Sequence, residues 1–193
     1  MNDKLTVSAL QAMKREGRKI AGVVCWDSNT AAVADAAGVE LVSVGDSAAA
    51  NLDELIAFCA SVRRGVRRAL VSCDLPEPTV ERAKRLVAVG ADLVKVESVD
   101  AVRTLAAAGI SVFAQIERAD EAKQMEDAGA ALIDFRHSGP EAGADAVAAV
   151  SIPVLGGLGG GPWLDGRVRA AHRLVAIDAF LADVRAGRPV KGD

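Results

Sequence analysis

The chain has 193 residues, a length that suits one globular domain with a sizeable hydrophobic core. Its formal net charge is −3, and no basic arm or stripe stands out, so nucleic acid is disfavoured as a partner. Aromatic residues make up only 3% of the chain and tyrosine is absent, which also argues against a surface that stacks on bases.

The cysteine pattern and the N-terminus indicate the compartment. Cys25, Cys59 and Cys73 are widely spaced and form no CxxC or Cys/His cluster, so we expect neither a zinc site nor a disulfide framework. They are typical of buried thiols in a reducing compartment. The N-terminal Met-Asn-Asp-Lys lacks a hydrophobic signal core, and no apolar run is long enough to cross a bilayer. We therefore expect a cytoplasmic protein that contacts neither membrane nor nucleic acid.

Strand and helix patterns alternate along the chain after an opening helix predicted at 6–17, within an N-terminal region of residues 1–19. Seven strands are predicted at 20–25, 41–44, 69–73, 93–96, 110–114, 131–135 and 152–155. The helices that follow or close these units are predicted at 30–37, 52–62, 78–89, 99–108, 119–128, 142–150 and 177–186. An eighth strand is expected within 167–174, although its Arg, Ala and His content is poor for a strand.

Four predicted helices end in a glycine directly before the next strand, as in Ala-Ala-Gly-Val-Glu at 36–40. The strands are continuous apolar runs, which indicates burial on both faces, and their alternation with helices indicates a parallel sheet. Seven clear units favour a compact (βα)8 TIM barrel with short loops over an open doubly wound sheet. We expect a single barrel domain over residues 1–193, with a flexible tail at 188–193.

Three successive predicted strands end in an acid, namely Asp46, Asp74 and Glu97. The carboxyl ends of parallel strands meet at one face of a barrel, where active sites lie. Neighbouring strands are about 4.8 Å apart, so three carboxylates there can share a divalent cation, most simply Mg²⁺. Lys95 precedes Glu97 by two residues and therefore points to the same side of its strand. These groups suit the binding of a 2-oxo acid and its enolate, whereas the alternative is that each acid caps the next helix.

A series of short motifs accompanies these acids in a fixed order. The motifs are Met13-Lys-Arg-Glu-Gly-Arg-Lys-Ile-Ala, Trp26-Asp27, Asp35-Ala-Ala-Gly, Val44-Gly-Asp-Ser, Asp74-Leu-Pro, Lys95-Val-Glu, Ser151-Ile-Pro-Val and Asp165-Gly. Together they resemble the family of ketopantoate hydroxymethyltransferase, also called 3-methyl-2-oxobutanoate hydroxymethyltransferase. That family belongs to the phosphoenolpyruvate mutase and isocitrate lyase superfamily of barrels. The resemblance covers about residues 5–187 and indicates a shortened, divergent member.

The resemblance implies an enzyme of the pantothenate pathway type, in which Mg²⁺ promotes enolisation of 3-methyl-2-oxobutanoate. The one-carbon unit would come from 5,10-methylenetetrahydrofolate as co-substrate. The implied magnesium ligands are Asp46, Asp74 and Glu97. The implied substrate-binding positions are Asp46, Ser47, Asp74, Lys95 and Gln115, the last standing where the family has a histidine. Members of such barrel families usually form oligomers, so a homo-oligomer is expected.

The sequence departs from the family pattern at the catalytic base, a glutamate near the end of the sixth strand. The corresponding residue is Arg136, and a guanidinium cannot act as a base near neutral pH. Asp134, two residues earlier, can face the same side, where it would either replace the base or merely pair with Arg136. Glu117 and His137 are further candidates. The segments that help to enclose the pocket and receive folate in the family are shortened here.

Three hypotheses follow from these residues. The first is a C–C bond enzyme acting on a 2-oxo acid, with Lys95, Asp134 and Arg136 in the catalytic positions. A variant of the first hypothesis is a 2-oxo acid lyase or aldolase with another substrate. The second hypothesis is a catalytically impaired paralogue that acts in binding or assembly. The third is a phosphate-ester enzyme that uses the glycine loop 156–161, although glycines also suit a tight turn there.

Overall fold

The computed structural model describes residues 4–45, 49, 51–157, 160–174 and 176–190. Eight parallel strands close into a barrel in sequence order, which confirms the predicted (βα)8 architecture. The strands are β1 (Ile20–Val24), β2 (Leu41–Val44), β3 (Leu70–Asp74), β4 (Leu93–Val96), β5 (Val112–Ile116), β6 (Leu132–Phe135), β7 (Val154–Gly156) and β8 (Gly166–Ala170). The helices are α1 (Val7–Arg15), α2 (Ser28–Ala37), α3 (Leu52–Gly65), α4 (Val80–Ala88), α5 (Val99–Ala107), α6 (Glu121–Asp127), α7 (Pro140–Ala149) and α8 (Ile177–Arg185).

Two strands differ most from their predicted bounds, and each difference has a local cause. β5 begins two residues later than predicted, because the Ile110 N–H still donates to the Leu105 carbonyl and so completes the end of α5. β8 ends at Ala170, four residues early, because residues 171–173 form a 3-10 turn. Within the described residues, no helix has the length and apolar character needed to span a membrane.

The predicted glycine positions at the helix ends have the backbone conformation that the pattern requires. Gly38, Gly90, Gly109 and Gly129 all have positive φ, between 76° and 112°. Residues with a Cβ rarely adopt this left-handed conformation, so these glycines let the chain leave each helix and enter the next strand within two or three residues.

Apolar side chains fill the lower part of the barrel interior, and every strand contributes one of them. Leu10 and Met13 of α1 close this layer from the amino end of the barrel. The strand residues of this layer are Ile20, Leu41, Leu70, Leu93, Phe113, Leu132, Leu155 and Val168. A second, larger core lies between the strands and the surrounding helices. Burial on both faces explains why the strands are continuous apolar runs.

On five strands, the next inward-facing residue after the apolar layer, two positions closer to the carboxyl end, is polar. The residues at this polar level are Ser43, Ser72, Lys95, Gln115 and Asp134, and all are buried. Ser72 donates a hydrogen bond of 2.9 Å to Ser43 across the β2–β3 pair. The period of two along each strand therefore places a polar layer directly above an apolar base. This layer is the floor of the candidate site.

Candidate active site

Lys95 occupies the centre of the polar layer, between two carboxylates. Its Nζ lies 2.9 Å from Asp74 Oδ1 and 3.4 Å from Asp134 Oδ2, and the three side chains are between 7% and 11% exposed. Burial alone lowers the pKa of Lys95, but the charges of Asp134 and Asp74 outweigh it and raise the pKa above its ordinary value. Lys95 is therefore a fixed positive charge at neutral pH and not a nucleophilic amine.

Asp134 contacts two cations through one of its oxygens. Arg136 Nε lies 3.5 Å from Asp134 Oδ2, the same oxygen that faces Lys95. Asp134 thus pairs with Arg136, one of the two roles that the sequence left open for it. Its other oxygen, Oδ1, is buried and has no hydrogen-bond partner in the part of the chain that the structure describes. A buried acceptor without a partner is costly, so Oδ1 marks a position where a ligand donor or a proton would be favourable.

Gln115 orients the carboxylate that follows β4. Its Nε2 donates a hydrogen bond of 2.7 Å to Glu97 Oε1. Gln115 is buried, whereas Glu97 is exposed at the mouth of the barrel. The neutral amide therefore holds Glu97 at the rim without neutralising its charge.

The alternative interpretation of the strand-end acids as helix caps is wrong for Asp74 and Glu97. The helices that follow β2, β3 and β4 have their own caps, which are Asn51, Thr79 and Ser98. Each of these side chains accepts a hydrogen bond from the first turn of its helix. Neither Asp74 nor Glu97 is used for capping, so both remain available to the site.

Asp74 and Glu97 line one cavity of about 260 Å³ at the carboxyl end of the barrel. Carboxylate oxygens are the donors that Mg²⁺ prefers, so these two residues fit such an ion. The third predicted ligand, Asp46, lies outside the described residues, as does Ser47. Within the described ranges, no group of three or more His, Cys, Asp or Glu side chains is arranged as a metal site. The described chain thus supplies two of the three predicted ligands.

A second cavity, also of about 260 Å³, adjoins the same cluster. Asp74, Lys95 and Arg136 line both cavities, whereas Asp134 lines the second one. Two adjoining cavities therefore share the cluster.

Trp26 and His172 form a stacked pair on the wall of this second cavity. Their ring centroids are 6.3 Å apart with an interplanar angle of 25°. Trp26 Nε1 donates a hydrogen bond of 2.9 Å to the Gly45 carbonyl, directly before the acid that follows β2. Our sequence reasoning assigned no role to His172 or to Ser43, which lines the same cavity. Ser43 could have been predicted to face the site, because it lies two residues after Leu41 on the inward face of β2.

The remaining predicted candidates lie elsewhere. Glu117 and His137 are exposed and line neither of these cavities. In the glycine loop, residues 158 and 159 lie outside the described residues, although Gly157 borders the second cavity. The phosphate-ester hypothesis depends on the backbone N–H groups of this loop, and it therefore stays a prediction.

Comparisons with known proteins point to the family that the motifs resemble. A family model described as ketopantoate hydroxymethyltransferase matches residues 4–119. The 3-methyl-2-oxobutanoate hydroxymethyltransferase of Methylococcus capsulatus is 31% identical over 228 residues, which cover 94% of this chain and 84% of that protein. The protein of the same name from Cyanothece sp. is 34% identical over 225 residues, covering 91% and 84%. Both alignments exceed 193 positions, so the relatives contain segments that have no counterpart here.

A solved structure supports the barrel assignment. The structure of 2,3-dimethylmalate lyase, a member of the PEP mutase/isocitrate lyase superfamily, matches with a TM-score of 0.66 and 13% identity. The match covers 94% of this chain and 86% of that one. At this level of identity the likeness concerns the fold alone.

Proposed function

The chain belongs to the ketopantoate hydroxymethyltransferase family, and we propose that it keeps the family's chemistry at the cluster of Asp74, Lys95 and Asp134. The reaction would be enolisation of a small 2-oxo acid followed by addition of a hydroxymethyl group. The observation that carries this proposal is the buried Lys95 ammonium, held between two carboxylates at the carboxyl end of the barrel. Family membership supports 3-methyl-2-oxobutanoate as the parent substrate.

Lys95 would stabilise the enolate. Removal of the proton next to the carbonyl moves negative charge onto the carbonyl oxygen. In the described part of the chain, Lys95 contacts two carboxylates, which leaves one of its three N–H donors for that oxygen. Because the ammonium is already held in place before the substrate enters, it requires little reorganisation as the charge develops.

Asp134 is our candidate for the catalytic base. The resemblance puts Arg136 at the family's base position, and a guanidinium cannot accept a proton near neutral pH. Lys95 and Arg136 both contact Oδ2 of Asp134, so Oδ1 remains to receive the proton from the substrate carbon. The two cations also hold the carboxylate in one orientation, which favours a defined direction of proton transfer.

Asp74 and Glu97, with Asp46 as the third ligand, would hold a magnesium ion beside this cluster. When bound, Mg²⁺ would polarise the carbonyl of the 2-oxo acid as a Lewis acid. The hard oxygen donors on one cavity wall support this assignment, and so does the hydrogen bond by which Gln115 orients Glu97. Gln115 would thereby act as a positioning residue for the ligand set.

Family membership alone supports the remaining parts of the proposal. They are 5,10-methylenetetrahydrofolate as the one-carbon donor, a homo-oligomeric assembly and a cytoplasmic location.

Deuterium exchange tests the proposed chemistry directly. With Mg²⁺ in D₂O, we expect the protein to exchange the C3 hydrogen of 3-methyl-2-oxobutanoate, followed by NMR. Asp134→Asn should slow the exchange by about 10²-fold or more, the usual contribution of a general base. Glu117→Gln is the matched control, because this exposed acid lies outside both cavities. Absence of exchange by the native protein would reject the proposal and favour the impaired paralogue, and exchange by Asp134→Asn at the native rate would reject Asp134 as the base.

A further inference from the structure

Arg136 presents unused donors at the edge of the site. It stands one residue beyond β6, and its side chain lines both cavities. Its Nε faces Asp134 at 3.5 Å, whereas its two terminal nitrogens have no hydrogen bond or ion pair within the described residues. The side chain is 41% exposed, so the guanidinium borders open space.

The other charged groups near these cavities have partners. Lys95 is held by Asp74 and Asp134, and Arg169, which lines the second cavity, has a partner of its own. Among the acids of the first cavity, Glu97 accepts a hydrogen bond from Gln115, and Glu77 lies 2.7 Å from Arg82. In the described part of the chain, Arg136 is thus a cavity cation whose two terminal nitrogens are left for a ligand.

We propose that Arg136 binds a second carboxylate of the substrate, so that the preferred substrate is a 2-oxo dicarboxylate. This role rests on the proposed function, because it assumes that the 2-oxo end of the substrate lies at Lys95. Arg136 would then be a determinant of specificity.

The shape and the charge of the guanidinium support this role. Its planar fork matches the two oxygens of a carboxylate and can bind them with two parallel hydrogen bonds. A substrate with an apolar group in the same place would leave these donors to water and would lack the charge-assisted hydrogen bonds. The positive charge of Arg136 also attracts an anionic group to this edge.

A matched pair of ligands tests the proposal. The compounds 2-oxoglutarate and 2-oxopentanoate have the same five-carbon chain and differ in a terminal carboxylate or methyl group. By calorimetry with Mg²⁺ present, we expect the native protein to bind 2-oxoglutarate about 10- to 100-fold more tightly. Arg136→Gln should abolish this preference, and Arg136→Glu should reverse it. Arg103→Gln is the control, because this exposed arginine pairs with Asp100 on α5.

Three results would overturn the proposal: equal dissociation constants for the native protein, no detectable binding of either acid, or a preference that Arg136→Gln leaves unchanged. If a variant fails to fold, the comparison of the two ligands on the native protein still decides. The deuterium experiment, repeated with 2-oxoglutarate, separates the two proposals. Preferential binding of 2-oxoglutarate without exchange of its C3 hydrogens would reject the proposed function and leave only a carboxylate-binding site at Arg136, whereas exchange without preference would reject the role of Arg136 alone.

Discussion

Replacement of Lys95 by methionine should destabilise the protein strongly, because it removes the buried cation that Asp74 and Asp134 share. Methionine is an unbranched chain without charge, so the change removes mainly the ammonium. At an effective dielectric constant of about 20, separations of 2.9 and 3.4 Å correspond to attractions of about 6 and about 5 kcal/mol. Desolvation of the three groups offsets much of this, and removal of one partner from a buried ion pair costs about 3–5 kcal/mol. We expect a loss of that size at about pH 8.

The loss should be smaller at about pH 5.5. Without the ammonium, Asp74 and Asp134 repel each other, and protonation of one of them relieves the repulsion. In the native protein the pKa of Lys95 is raised above 10.5, so its stabilisation is fully present below that value and is lost only as pH rises through the raised pKa. The difference in pH dependence between the variant and the native protein therefore reports the carboxylates that Lys95 pairs with.

Urea unfolding followed by far-UV circular dichroism at the two pH values measures these differences. Lys123→Met is the control, because Lys123 is an exposed residue of α6 whose contacts with Glu126 and Asp127 are screened by solvent. It should leave the free energy of unfolding nearly unchanged. A loss below about 1 kcal/mol for Lys95→Met at about pH 8, or an equal loss at both pH values, would refute the reasoning.

Two further predictions concern groups outside the site. Glu40 is 4% exposed and accepts the Ala21 N–H at 2.9 Å, and burial raises its pKa above 4.5. A carboxyl group whose pKa is higher in the folded protein than in the unfolded chain lowers the free energy of unfolding as pH rises from the unfolded pKa to the folded pKa. Glu40→Gln should therefore flatten the decline of the unfolding free energy above about pH 4.5. Urea titrations at several pH values check this, and an unchanged slope would contradict it. Gly65→Ala would put a Cβ 2.1 Å from the Ser28 carbonyl oxygen, and we expect a loss of about 1–3 kcal/mol and a lower Tm in thermal denaturation. A native Tm would show that α2 and α3 can separate freely.

Much of the fold could be predicted from the sequence, because its signals are local. Each strand–helix unit has its own apolar run and its own terminal glycine, and neither depends on the rest of the chain. Strand bounds were least certain where a junction residue serves two elements, as Ile110 does by closing α5 before β5 begins. Comparison with known proteins confirms the predicted family as well.

The site was predicted in part. Alternation along a strand places Asp134 and Arg136 on one side, and the ion pair between them agrees with that. The positions of Asp74 and Glu97 at strand ends likewise predicted that they lie at one face of the barrel, and both line the same cavity. The stacked Trp26 and His172 were not foreseen as a pair, because they come from the first and last units and meet only when the barrel closes.

The sequence by itself determined the barrel and the side of each strand on which a residue lies, since both depend on short-range repeats along the backbone. Only the tertiary structure decided that Lys95 of β4 lies between Asp74 of β3 and Asp134 of β6. β4 and β6 are separated by β5 and are not paired through backbone hydrogen bonds, so no neighbouring-strand pattern relates their residues. Their side chains meet because closure of eight strands directs the inward faces toward one axis, and this brings an ammonium and two carboxylates within hydrogen-bonding or ion-pairing distance.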